Sequence, residues 1–223
     1  MRTVPTESTD NYLKAVFEIT AVQERASTNE IAQRLRVSAA SVTGMLKKLA
    51  SAAPALITYE KHRGAELTEE GQRRAIEVIR HHRLIESYLH AALDYGWDEV
   101  HEEAEGLEHV VSPLFIERIA AALGHPEIDP HGAPIPTRDG QIEPASGVAL
   151  DQVGVGRAGS VSRVNDDNPG LLRYLARLGI RPGSLITVVD IAPFGGPIQV
   201  NVDGTRQALG PEAASQVFVA LDD

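Results

Sequence analysis

Between positions 82 and 109 the chain sets imidazoles and carboxylates at helical spacing, and this run constrains the fold more than any other. It contains His82 and Glu86, four residues apart, then His101, Glu105, Glu108 and His109. At ~100° per residue, positions 101, 105, 108 and 109 fall within an arc of roughly 100° on a helix. Two imidazoles and two carboxylates then share one side, with Ala104, Leu107 and Val111 as an apolar stripe opposite. Two helices that face each other with such pairs build a metal site in a bundle core. The donors are nitrogen and hard oxygen, and the chain has no Cys. That set suits Mn(II) or Fe(II) better than an ion that wants thiolate. Glu99, Glu102 and Glu103 read as a solvated face, and His62 and His90 as ordinary packed or capped side chains.

The absence of Cys also excludes disulfides, Cys-type zinc sites and thiol catalysis. No apolar run approaches the ~20 residues that cross a bilayer. The N-terminus lacks the features of a signal peptide, so a cytoplasmic protein with no membrane partner is expected. The net charge of −10 is unevenly spread: residues 1–74 carry +2, residues 75–146 carry −10 and residues 147–223 carry −2. All four lysines lie in the first segment and seven of the eight histidines in the second. This segregation suggests a phosphate-facing module joined to a cation-binding one.

The hydrophobic periods divide the chain the same way. Leu13, Val16 and Phe17 share a helical face, with Thr9 or Asp10 as the cap. Ser27 and Glu30 have capping-box form ahead of Ile31, Ala32 and Leu35. Ser38 opens a third helix whose inner face is Val42, Met45, Leu46 and Leu49. Two short helices about a tight turn make a helix-turn-helix. Residues 56–68 then read as a β-hairpin wing with Lys61, Arg63 and Gly64 at its tip. A long helix starts at 68–71 and runs to about Leu93, and Ser112-Pro113 caps another over 114–123. Residues 124–147 are rich in Pro and Gly and read as a linker or ordered loop. Beyond them, five short strands and one helix over 169–178 suggest a small barrel. The expected chain is mainly α with a small β domain, divided at 1–74, 75–146 and 147–223.

These residues resemble the diphtheria toxin repressor family of metal-dependent transcriptional regulators, and within it the manganese-responsive, three-domain branch. The resemblance rests on 100–110 (VHEEAEGLEHV), 81–86 (HHRLIE), 129–136 (DPHGAPIP) and the wing 61–68 (KHRGAELT), in order, and covers nearly the whole chain. It implies a winged helix-turn-helix that binds double-stranded operator DNA, a helical domain that forms a homodimer and holds metal, and a C-terminal SH3-like domain that lends a ligand. One site would use Glu105, Glu108, His109 and Asn11 from the first helix, with His82 near or bridging. A second would use Glu86, His82 or His101, Asp129, His131 and an acid of the third domain, best matched by Asp166 with Asp167 close behind. Glu105 stands where iron-responsive members carry Cys, which tilts selectivity to Mn(II), with Fe(II), Co(II), Cd(II) and Zn(II) as substitutes. Asn11 departs from the Asp of manganese-responsive relatives; weaker affinity there, or recruitment of Asp10 or water, is expected. Lys14 occupies a position that is acidic in the two-domain manganese regulators, so their closely spaced binuclear cluster is not expected.

In the DNA module, Lys47, Lys48, Lys61, Arg63 and Arg34 are expected on phosphates, and Ser38, Ala40, Ser41 and Thr43 on base edges. An iron oxygenase built on two His and one carboxylate is a rival reading. Nothing in the sequence supplies its substrate pocket, and the run has more carboxylates than an open catalytic centre uses. Neither enzymatic activity nor an organic cofactor is expected; repression of metal-uptake genes by the metal-loaded protein is.

Overall fold

A computed structural model describes residues 7–222. The described residues form two compact units, one from residues 7–81, 108–111 and 136–141, the other from 82–107, 112–135 and 142–222.

The first unit begins with α1 (Glu7–Thr20), α2 (Thr28–Arg34) and α3 (Ala39–Ala50). Ser27 caps α2 through the anticipated box: its Oγ accepts from Glu30 N, and the Glu30 carboxylate accepts from Ser27 N. Ser38 caps α3 by accepting from Ser41 N. Thr9 and Asp10 do not cap α1. The helix already includes Glu7, so both lie inside it and are buried. The wing is an antiparallel pair, β1 (Ile57–Glu60) and β2 (Gly64–Leu67). Leu13, Val16, Ile31, Val42, Leu46, Leu49 and Ile57 form one buried cluster with Tyr12, Ala26, Ala65 and Ala75. Mutual reciprocal bonds between Ala26 and Ala65 backbones tie the wing root to the segment before α2. Gly64 sits at that contact with φ +98°, and a Cβ there would lie 2.7 Å from Ala26 O.

Next comes α4 (Glu69–Leu93), whose residues up to His81 belong to the first unit and the rest to the second. In the second unit α5 (Val100–Leu107) and α6 (Pro113–Ala122) follow, α6 capped by Ser112. The expected helix through His109 is not formed. α5 ends at Leu107, and residues 108–110 are turn. Pro113 disfavours helical backbone at Ser112, and Gly106 and the β-branched pair Val110-Val111 are weak helix formers, so the helix stops early. Glu108 and His109 therefore do not continue the face that carries His101 and Glu105.

The β part is one antiparallel sheet in the order β3-β8-β4-β5-β6-β7. Its strands are β3 (Val148–Ala149), β4 (Ala158–Val164), β5 (Leu185–Ile191), β6 (Ile198–Val202), β7 (Thr205–Leu209) and β8 (Val217–Leu221). α7 (Pro169–Arg177) and the short α8 (Pro211–Ala214) complete it. Its core joins Leu172, Leu175, Ile180, Ile186, Val200 and Val217, and Trp97 belongs to the same cluster. β7 escaped the sequence reading because Thr205, Arg206 and Gln207 are polar and only Leu209 is buried. The Asp203-Gly204 pair before it, both at positive φ, is the signal of a two-residue hairpin turn. Among the described residues no helix is long and apolar enough to cross a membrane.

Gly71, in the first turn of α4, tests this packing. A Cβ there would lie 1.8 Å from Leu56 O. Helix propensity alone predicts that Gly71→Ala stabilises by ~1 kcal/mol; the steric conflict predicts a loss of about 2 kcal/mol or more. Denaturant unfolding should show the loss, and an unchanged or raised midpoint would contradict the contact.

Candidate metal centre and nucleic-acid interface

The second unit gathers six ionisable side chains from four segments. α4 supplies His82 and Glu86, α5 supplies His101, the loop after α6 supplies Asp129 and His131, and the segment after β4 supplies Asp166. His82 and Glu86 are one helical turn apart and buried, Glu86 completely. Glu86 Oε1 lies 2.9 Å from His82 Nε2 and 3.2 Å from His101 Nδ1. The two imidazole nitrogens are 3.1 Å apart. Asp166 Oδ2 lies 3.5 Å from His101 Nδ1 and 3.7 Å from His131 Nδ1. On the other side of the carboxylate, Glu86 Oε2 is 3.8 Å from His131 Nδ1.

The loop that carries Asp129 and His131 is built to aim them. Asp129 Oδ1 accepts from the backbone N of His131 and of Ala133. His131 O accepts from Val164 N, which ties the loop to β4. Gly132 allows this approach: its φ is +86°, and a Cβ would lie 2.1 Å from Ser162 O. His131 Nε2 donates to Trp97 O at 2.6 Å, which leaves Nδ1 as the nitrogen turned to the acids. Three buried atoms here have no hydrogen-bond partner: Glu86 Oε2, Asp129 Oδ2 and His131 Nδ1. Ligand atoms of these three residues lie within 4.8 Å of one another, as do those of His82, Glu86, His101 and Asp166. Buried polar atoms without partners are costly. Converging acceptors of nitrogen and oxygen type fit a divalent cation, which would satisfy them together.

The charges agree. Burial opposes ionisation of Glu86, but His82, His101 and His131 hold its carboxyl well below the usual range. Burial, with Glu86 and Asp166 nearby, pushes Asp129 up to about 7. Burial would lower both His101 and His131; Asp166 and Glu86 outweigh it and raise them to about 10 and about 9. Asp166 is lowered despite burial, chiefly by His101.

A second group lies in the first unit. Asn11 Oδ1 is 2.8 Å from His109 Nε2, and Glu108 Oε1 is 3.3 Å from the same nitrogen. Lys14 Nζ pairs with Glu108 Oε2 at 3.4 Å. Asp10, the expected stand-in for a weak Asn11, is already held by Arg74 at 2.7 and 3.1 Å. Neither Arg74 nor the Lys14 pairing was evident from the sequence, because no periodicity links α1 to residues 74 or 108. His82 lies in the second unit, with its Nε2 2.9 Å from Glu86 Oε1. Glu105 lies in the second unit with its side chain half exposed, 3.8 Å from His101 Nε2. Asp167 is absent from the ligand groups that the structure assembles.

On the DNA module, α3 exposes Ser38, Ala40, Ser41, Lys47 and Lys48. Several of these groups are already engaged: Ser38 and Ser41 Oγ are 2.8 Å apart, and Thr43 Oγ1 donates to Ala39 O. Arg34 pairs with Glu18 at 2.6 Å and Arg63 with Glu60 at 3.0 Å. Lys47, Lys48 and Lys61 are exposed and make no ion pair with a described residue. Together with the exposed Arg36 in the turn between α2 and α3, they are available to phosphate.

Profiles of known families match three consecutive stretches: an iron dependent repressor N-terminal DNA binding domain over residues 5–65, an iron dependent repressor metal binding and dimerisation domain over 68–137, and a FeoA domain over 148–221. A manganese-dependent transcriptional repressor solved in complex with manganese is 39% identical, with a TM-score of 0.86 and coverage of 96% of this chain and 99% of that one. The chain belongs to the iron-dependent repressor family. Its relatives include the iron-dependent repressor IdeR of Mycobacterium tuberculosis, 29% identical over 228 residues and 96% of each chain. ScaR with bound Cd2+ is 35% identical, with a TM-score of 0.81 and coverage of 97% of this chain and 99% of that one. As a member of this family the chain is a metal-responsive DNA-binding regulator, with the winged helix-turn-helix, helical and SH3-like parts that its sequence resemblance implied.

The raised imidazoles give a pH prediction. His101 and His131 are protonated at pH 7 and must lose those protons to coordinate a cation. Affinity for a divalent ion at this cluster should therefore rise with pH up to about 9 to 10, the values to which burial-opposed pairing lifts them. Calorimetry in buffers of different ionisation enthalpy should show between two and three protons released per ion at pH 7, one for each imidazole and about half of one for Asp129. No proton release would contradict the arrangement.

Proposed function

We propose that the chain is a Mn(II)-dependent repressor of metal-uptake genes, acting in the cytoplasm as a dimer on operator DNA, with Fe(II) as an alternative effector. The observation that carries this reading is the convergence of Glu86 Oε2, Asp129 Oδ2 and His131 Nδ1, buried and without hydrogen-bond partners. We assign Glu86, His82, His101, Asp129, His131 and Asp166 to one cation site. Asn11, Glu108 and His109 contribute to another. Both donor sets lack sulfur, and Glu105 is a carboxylate where a thiolate would favour softer ions. That a similar protein was solved with manganese supports the choice of ion; ScaR with Cd2+ shows that such relatives also accept softer ones.

A bound cation supplies positive charge to buried carboxylates that otherwise repel. The residues do the rest. Trp97 O orients His131, and the backbone of 131 and 133 orients Asp129. At the other group, Lys14 already neutralises part of Glu108, which favours a single ion of modest affinity over a closely spaced pair. α6 exposes Leu114 and Phe115, an apolar surface suited to a second copy of the chain. In a dimer the two α3 helices would read successive major grooves ~34–36 Å apart. Lys47, Lys48 and Lys61 would take phosphates, and Ala40 and Ser41 would face bases. Metal and DNA then stabilise the same arrangement, with a coupling of about 1–3 kcal/mol.

DNA selected from a random pool by the Mn(II)-loaded protein provides the test. Affinity for that DNA should fall at least tenfold, about 1.4 kcal/mol, when a chelator replaces Mn(II). Binding that is equally tight with chelator would refute metal dependence and favour a regulator with structural acids.

A further inference from the structure

The second unit also contains a cavity of about 390 Å³ between the end of α4, the 94–98 turn and α7. Its size is at the small end of ligand pockets, ~300–1,000 Å³. Three arginines line it: Arg173, Arg177 and Arg181. Asp98 engages only the first, at 3.1 Å. Arg177 and Arg181 form no ion pair with a described residue, and Asp94 is the only other acid in the lining. Trp97 forms part of the wall, 5% exposed, with the Arg181 guanidinium 5.2 Å from its ring. Its indole N–H, which can only donate, has no acceptor within the protein.

The donors of this cavity outnumber its acceptors. The Arg177 and Arg181 guanidinium forks are exposed and hold no acid of the chain, and such forks match the oxygens of a carboxylate or phosphate. The chain as a whole carries −10, so this is a local reversal of sign. We infer that this cavity binds a small organic polyanion bearing carboxylate or phosphate groups, held by the Arg177 and Arg181 guanidiniums beside the Trp97 wall. The guanidiniums supply paired donors for planar or tetrahedral oxyanions, and the ring offers a flat apolar wall for the carbon skeleton. The site has a path to the metal cluster, because the Trp97 carbonyl accepts from His131 Nε2 at 2.6 Å. A ligand seated against Trp97 rests on the residue that orients a cation donor, so it acts as a second input to the regulator. The binding claim itself does not depend on the metal assignment.

Trp97 is the only tryptophan in the chain and reports directly on the cavity. Metal-free full-length protein is titrated with citrate and with inorganic phosphate, so that neither probe acts by removing metal, with sodium chloride of equal ionic strength as control. At least one probe should change Trp97 fluorescence with saturation, where chloride does not. Arg177→Ala should raise the midpoint tenfold or more without changing the thermal midpoint, since Arg177 is exposed. Citrate binding more tightly than phosphate identifies a polycarboxylate site, and the reverse a phosphate site. Responses to both probes that match chloride, or a midpoint that survives Arg177→Ala, overturn the inference.

Discussion

A fully buried carboxylate, Glu86, is the constraint around which the second unit is organised. Taking an ionised carboxyl out of water costs several kcal/mol unless opposite charge and hydrogen bonds compensate. His82 one turn earlier, His101 from α5 and His131 from the loop after α6 provide that compensation, and all three are drawn to one point. The pairing of α4 with α5 and the folding of the 129–135 loop onto β4 are each coupled to this point. The compensation is incomplete, with one oxygen of Glu86, one of Asp129 and one nitrogen of His131 left over. An apolar replacement would satisfy a purely structural core better. The left-over carboxylate oxygens, with an imidazole nitrogen that becomes an acceptor once its proton is lost, make this a place for a cation.

The first unit treats charge differently. Asp10 and Glu108 are buried, and each is met by a cation of the protein itself, Arg74 and Lys14. The His109 imidazole lies among Asn11, Asp10 and Glu108. More of this group's charge is paired internally than at Glu86, yet Glu108 Oε1 and His109 Nδ1 are also buried without hydrogen-bond partners, so both groups keep ligand atoms for an ion. The DNA-facing surface shows a similar economy. The hydroxyls at the start of α3 serve the helix itself, and the two arginines expected on phosphates hold acids, so Lys47, Lys48, Lys61 and the turn residue Arg36 carry the exposed positive charge.

Much of this was legible in the residues. The Ser27–Glu30 box, the wing, the span of α4 and most strands followed from local chemistry, since capping and period-2 or period-3.6 patterns are short-range signals. The pairing of His82 with Glu86 followed from i, i+4 spacing. His101 followed from the facing-helix spacing, whereas Asp129, His131 and Asp166 joined only through resemblance, because their contacts join residues 35 to 65 positions apart and no local pattern encodes them. The reading failed where a local rule was extended too far. A single helix through His109 ignored Gly106 and Pro113, and a cap at Asp10 overlooked a helix that already includes Glu7. The carbonyl of Trp97 and the guanidinium of Arg74 had no signal at all, since any residue has a carbonyl and Arg74 looked like one more surface cation.

The central claim is that the imidazoles and carboxylates around Glu86 form a cation site rather than a satisfied core network. Anomalous diffraction at the manganese edge from crystals grown with Mn(II) tests it most directly. The account predicts a peak within coordination distance of Glu86 Oε2 and His131 Nδ1. Well-ordered crystals with no peak there, and with Glu86 and the histidines bonded only to one another, would contradict it.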